Sequence, residues 1–296
     1  MKIITVDALA PLLRQLETLA LSTHLNEYVF RGQGNADWPL QSTFSRYSTS
    51  KLPEFRGLAF EHLITQYTDG LARIGDRRMV ELNRRGRLEL ARHSGVPSPL
   101  IDFTRSPFVA LWFAFNGIRG SVDKDKNVAI YALDWNMTGA AFGHFCEKTG
   151  LEDRIRRKYG RPSIDMFRWE TASFFDEGYP DLLKFIPYAA SWNVKMNRQQ
   201  GCFLYDGVDY ESLDEKNTEE ILSKNKHFAI SDSLLIKFII PCSLAREVFQ
   251  YLEIVGISGA HLFNDEYGVV ADVYNSFNHD VRSRSWDIKG EGINQI

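Results

Sequence analysis

A chain of 296 residues that is 44% apolar and 13% aromatic can bury one large core and sits near the upper size for a single domain. A net charge of −3, with a pI near 6.2, excludes a global positive field that would hold polyanions non-specifically, and leaves room only for a local basic groove. The three cysteines, Cys146, Cys202 and Cys242, form no CxxC pair and are odd in number, which points to a reducing compartment and not to a disulfide framework. The first residues turn polar before a signal-peptide apolar run is complete, and no window approaches 18 consecutive apolar residues. The expectation is a soluble, cytoplasmic protein with no membrane contact.

Asp7 as N-cap, followed by Leu9, Leu12, Leu13, Leu16 and Leu19, predicts an amphipathic helix over 7–21. Glu27 to Arg31 reads as a strand stopped by Gly32 and Gly34. Pro53 opens a helix through about Ile74, and a second runs from Met79 to His93 until Gly95, Pro97 and Pro99 break it. Ser106-Pro107 is an N-cap and N1 pair for a helix so apolar, from Phe108 to Phe115, that it must be central; Gly117 ends it.

Further along, strands are expected at Asn127–Leu133, Gly201–Tyr205 and Leu234–Ile240. A helix striped with Ala245, Val248, Leu252 and Val255 is capped by Gly256. The acidic segment Gly207–Asn225 and the charged segment Gly120–Asn127 read as exposed loops, the former long enough to act as a lid through Glu211–Glu220. The mixture specifies an α+β (mixed α/β) fold with a central, mostly buried sheet and flanking helices.

Four segments carry the chemistry. In Phe30-Arg31-Gly32-Gln33-Gly34 a guanidinium ends an apolar strand beside glycines that admit a ligand to the backbone, a natural anchor for phosphate or carboxylate. The same arginine reads equally as a structural ion pair beside a turn. The run from Arg92-His93 through Asp102-Phe103-Thr104-Arg105-Ser106 brings polar groups to the mouth of the apolar helix, where they are paired or used; a capping network is the plainer reading. An Arg31–Asp102 contact is expected across that cleft.

Arg198-Gln199-Gln200-Gly201 heads a strand, and His261 to Gly268 reads as an acidic turn starting a helix. Histidines elsewhere show no metal-ligand spacing, so no metal is expected. GxSxG, P-loop, HExxH and the complete dinucleotide fingerprint are all missing, which argues against the common hydrolases, kinases and Rossmann enzymes.

In order, these segments resemble the FRG domain, a bacterial and phage family named for an aromatic-Arg-Gly motif. The resemblance runs from Phe30-Arg31-Gly32 and Trp38, through His93, Gly95, Pro97, Leu100, Asp102, Thr104, Pro107, Ala110, Phe113 and Ala114, to Arg198, Gln200, Gly201, Phe203, Phe263, Asp265 and Gly268. It implies a single FRG-type domain over 1–296, with a core of about 25–275 and a C-terminal helix of about 266–284.

The order of an arginine on a first strand, a Ser/Thr turn opening a helix, and a strand headed by Arg-x-Gln is similar to that of ADP-ribosyltransferases. That resemblance implies NAD as co-substrate. It assigns catalytic roles to Arg31, Asp102 and Gln200, and NAD binding to Arg31, Gly32, His93, Thr104, Arg105, Ser106, Phe113 and Tyr131. The usual catalytic Glu is replaced by Gly201 or Cys202. The implied activity is that of a toxin or antiphage effector acting on nucleic acid or protein; the alternative is a non-catalytic module binding a nucleotide-like small molecule or nucleic acid.

Overall fold

The computed structural model describes residues 1–21, 28–47, 56–77, 82, 84–98, 100–135, 157, 184–186, 194–205 and 235–279. Within them seven strands form one sheet in the order β1-β7-β4-β2-β3-β6-β5. These are β1 (Lys2–Thr5), β2 (Tyr28–Gln33), β3 (Leu100–Thr104), β4 (Asn127–Asp134), β5 (Lys184–Ile186), β6 (Gly201–Tyr205) and β7 (Leu235–Pro241). Only β1 and β7 pair parallel; every other neighbouring pair is antiparallel. The protein is α+β.

Alternation along the strands sends side chains to two faces. One face carries Phe30, Val128, Ile130, Phe238 and Ile240 and is covered by three helices: α1 (Leu9–Ala20), α5 (Pro107–Phe115) and α7 (Ala245–Ile254). The other carries Val29, Ala129, Tyr131, Leu133, Ile101, Phe103 and Leu204, with Leu40 packed on it. The remaining helices are α2 (Thr43–Tyr47), α3 (Arg56–Arg73), α4 (Arg84–His93), α6 (Val194–Arg198), α8 (Gly259–Phe263) and α9 (Glu266–His279).

The central helix forms where its caps dictate. The Ser106 hydroxyl accepts from Val109 N at 3.3 Å, Pro107 takes N1, and Gly117 adopts φ +85° beyond the last turn. All but two of its nine side chains are buried. Gly32 lies inside β2, where the sequence suggested a stop. A Cβ there would come within 2.0 Å of Ala110 O and 2.5 Å of Ala114 N, so this glycine lets α5 lie against the strand.

Other boundaries shift. Ala8, not Asp7, occupies the N-cap of α1 and makes no side-chain bond, because the helix starts one residue later than the polar signal suggests. The second arginine-rich helix begins at Arg84; Leu82 lies in a bend before it. Val255 is 39% exposed and falls off the α7 stripe, because the helix ends at Ile254. The segment after Gly120 is not wholly exposed: Asp123 is buried, held by Lys126 Nζ at 2.7 Å and by the Arg119 main-chain N–H at 2.9 Å. Pro53, the Gly207–Asn225 loop with its lid reading, and the chain past His279 lie outside the described residues.

Candidate functional site

Strands β2 and β3 share a single registered pair, Phe30↔Thr104, and diverge beyond it. Divergence leaves the next carbonyl of β3 without a strand partner on the β2 side, and an unsatisfied buried carbonyl is costly. The Arg31 side chain spans the gap: its Nη1 donates to Asp102 O at 2.8 Å and lies 3.7 Å from Asp102 Oδ2, while Nε donates to Gln33 Oε1 at 3.4 Å. The expected Arg31–Asp102 contact therefore exists, across two diverging strands.

The last turn of α4 adds a second guanidinium. Arg92 grips the same carboxylate in a fork, Nε donating to Oδ1 at 3.2 Å and Nη2 to Oδ2. The Arg31 and Arg92 side chains are only 17% and 20% exposed, against 44% for Asp102. Two mostly buried positive charges thus share one negative charge. Burial lowers the Arg31 pKa from its ordinary value, the Asp102 carboxylate works in the opposite direction, and Arg92 and Arg46 push it lower again.

These groups line a cavity of about 850 Å³, well inside the roughly 300–1,000 Å³ of small-molecule sites. Aromatic side chains line it as well, among them Trp38, Phe113, Phe263 and Tyr267. The Phe113 and Phe263 ring centroids are 6.0 Å apart, and those of Phe263 and Tyr267 4.8 Å apart, both edge to face. His93 also lines the cavity; desolvation first, then Lys195, lowers its pKa below 6.5.

The aromatic wall is held by polar tethers. Lys195 on α6 pairs with Asp265 at 2.5 Å, Arg198 Nη1 donates to His261 O at 3.1 Å, and Gln199 Nε2 donates to Leu262 O at 3.4 Å. Asp265 also caps α9 by accepting from Gly268 N at 3.1 Å, and these bonds hold its carboxyl below the ordinary range, the Lys195 bond contributing most. Helices α8 and α9 cross where Gly259 meets Gly268, and the Asp272 carboxylate accepts from Gly259 N and Ala260 N at 2.6 and 2.8 Å.

Of the residues singled out from the sequence, Arg31, Gly32, His93, Asp102, Thr104 and Phe113 line the cavity. The others do not. Gln200 is exposed at a turn with φ +47°, and its neighbour Gln199 faces the cavity instead. Ser106 is occupied in capping α5, and Arg105 is exposed beyond the rim. Tyr131 is fully buried under Lys237, 5.2 Å from its ring centre, with its hydroxyl donating to Trp38 O at 3.5 Å.

Thr104 is engaged as well, donating to Gln199 O at 2.6 Å and accepting from Ser106 N at 3.0 Å. Gly32 borders the cavity, but its missing side chain serves the helix and not a ligand. Arg46, Arg92, Lys195, Gln199 and Tyr267 line the cavity without having been singled out as site residues. Arg92 was legible in one respect: it precedes His93 in the last helical turn, where a basic residue points toward whatever the helix end meets.

One stretch of chain supplies most of the polar lining: Arg31, Arg46, Arg92, His93, Asp102 and Thr104, together with the helix that seats on Gly32. Residues 26–122 match the FRG domain. The FRG segment begins just before β2 and ends at the turn after α5, so it contains the guanidinium pair and Trp38, whereas Lys195, Phe263, Asp265 and Tyr267 come from outside it. No curated protein and no solved structure matches the chain. Among the described residues no helix is long and apolar enough to cross a membrane, and no group of three His, Cys, Asp or Glu residues is arranged to hold a metal.

Proposed function

We propose that the cavity binds NAD or a closely related pyrophosphate nucleotide as substrate, and that the protein is an ADP-ribosyltransferase-like effector modifying a nucleic acid or protein acceptor. The observation that carries this reading is the Arg31–Asp102–Arg92 cluster, which, among the described residues, sets two mostly buried guanidinium groups against one carboxylate. Such an arrangement is costly empty and favourable around an anion, and forked guanidinium groups suit phosphate oxygens. Further support comes from β2, β3 and β6, adjacent in the sheet, which bring Arg31, Thr104 and the Gln199–Gly201 segment together in the order the resemblance requires.

In this reading Arg31 and Arg92 bind the pyrophosphate, and the Phe113–Phe263–Tyr267 wall and Gln199 bound the rest of the nucleotide. The bond between ribose C1′ and the nicotinamide nitrogen breaks, with its electron pair leaving on nicotinamide. The acceptor atom then bonds to C1′ and gives up its proton. The cationic ribose requires a nearby negative charge. Strand β6 offers none, running Gly201-Cys202-Phe203-Leu204-Tyr205, so the role falls to Asp102, the most exposed member of the cluster.

A second reading is a non-catalytic binder on the same scaffold. The observation favouring it is that both Asp102 oxygens are already engaged by Arg92. Calorimetric titration with NAD, alongside an assay for released nicotinamide, separates the two. Binding weakened in Arg92→Ala together with nicotinamide release supports transfer; binding without release supports the binder; no binding at millimolar NAD removes both in favour of another anion.

A further inference from the structure

The cavity is also lined by two exposed side chains to which the nucleotide reading gives no contact, Trp38 and Arg46. Trp38 is 53% exposed, although it is among the largest apolar side chains and lines the cavity. Its main chain is fixed: its N–H donates to Asn35 O at 3.3 Å and its carbonyl accepts from Gln33 Nε2 at 3.0 Å. The indole thus projects from a main chain held on both sides.

Arg46 lines the same cavity from α2 and has no ion-pair partner among the described residues. Its helix is anchored through Phe44 N to Ser98 O at 3.1 Å and through the buried Ser42–Ser45 hydroxyl pair at 2.9 Å. The segment that carries it is biased the same way. The FRG segment carries thirteen Lys and Arg, twelve of them Arg, against nine Asp and Glu, while the whole chain has 35 against 38. Of these basic residues Arg31, Arg46 and Arg92 line the cavity.

An exposed aromatic ring and a guanidinium lining one cavity make a pairing that binds unstacked bases: the ring stacks on the base and the cation meets the adjoining phosphate. A base inside a duplex cannot offer its face. We infer that the acceptor is single-stranded nucleic acid, one base stacking on Trp38 and a neighbouring phosphate pairing with Arg46. This names the acceptor class of the reading above and rests on it for the transfer, though not for the binding. The net negative charge of the whole protein confines the contact to a few nucleotides at the mouth.

The test is fluorescence anisotropy with labelled twelve-nucleotide single strands of thymidylate and uridylate, and with a duplex of equal length, on the full chain and on Trp38→Ala, Trp38→Phe and Arg46→Ala. Expected is binding of a single strand in preference to the duplex, weakened about tenfold or more in Trp38→Ala and retained in Trp38→Phe. The slope of log affinity against log salt should become shallower by about 0.7 in Arg46→Ala, the loss of one phosphate contact on a single strand. NAD titration of the Trp38 variants should match the parent, since Trp38 carries no charge for the pyrophosphate. No single-strand binding, equal duplex binding, or binding indifferent to Trp38→Ala and Arg46→Ala overturns the inference. Single-strand binding with these signatures in a protein that ignores NAD sustains it while removing the transferase reading.

Discussion

Arg31 donates from Nη1 to the main-chain oxygen of Asp102 at 2.8 Å, replacing a ladder bond that the divergence of β2 and β3 has removed. One side chain thereby both closes the sheet and charges the cavity floor. Replacing it by alanine leaves Asp102 O without this partner and should cost about 1–3 kcal/mol, read by urea unfolding at constant pH. Arg31→Lys, with a single point charge and no fork, should fold more stably than the alanine variant yet bind nucleotide more weakly than the parent.

Glycines at two close approaches make a sharper prediction. Gly32→Ala places a Cβ about where Ala110 O already lies, and Gly268→Ala does the same against Gly259 O at 2.2 Å. Both neighbours are backbone and cannot move aside cheaply. Gly32→Ala should cost about 3 kcal/mol or more, or abolish soluble expression, because it separates the central helix from the central strand. Gly268→Ala should instead loosen the α8–α9 corner, seen as faster amide exchange over Gly259–His279 with the sheet still protected.

The Asp272 carboxylate should be worth about 1–2 kcal/mol at that corner. It satisfies two main-chain donors at the start of α8, and Asp272→Ala strands both. Thermal unfolding followed by circular dichroism measures the loss.

His93 should titrate below 6.5, because burial and then Lys195 disfavour its charged form. The unfolded chain then takes up the proton first as pH falls. This contribution to stability is complete above about pH 6.5 and is lost as the pH drops from there through the folded value. A midpoint by proton NMR at or above 6.5 contradicts this. Lys195→Met should move the midpoint upward, a shift expected only if the ammonium faces the imidazole.

Much of the fold was legible because its signals are local. Ser106-Pro107 specifies a helix start through capping geometry, and the uninterrupted apolar run after it requires burial on every side. Strands β4, β6 and β7 declare themselves by β-branched and aromatic composition. Strand β3 has no such signal, since Leu100 to Thr104 is five residues long and follows directly on Gly95, Pro97 and Pro99; it is a strand because β6 pairs along its whole length. Strand β1 was missed for a related reason: four residues carry no period, and only parallel pairing with β7 makes them a strand.

The candidate site divides the same way. Sequence by itself determined that Arg31, His93 and Asp102 are polar groups placed against a buried helix, because residue type and spacing along one chain carry that information. Which arginine grips Asp102, and whether Gln199 or Gln200 faces the cavity, was decided only by the tertiary structure. The fork from Arg92 depends on α4 ending over β3, and the outward turn of Gln200 on a left-handed backbone at its position. The aromatic wall from Phe263 and Tyr267 comes from some 160 residues beyond Asp102 and reaches the site through the Lys195–Asp265 and Gln199–Leu262 tethers. Contacts between residues so far apart follow from how whole elements pack, and no pattern within either segment encodes them.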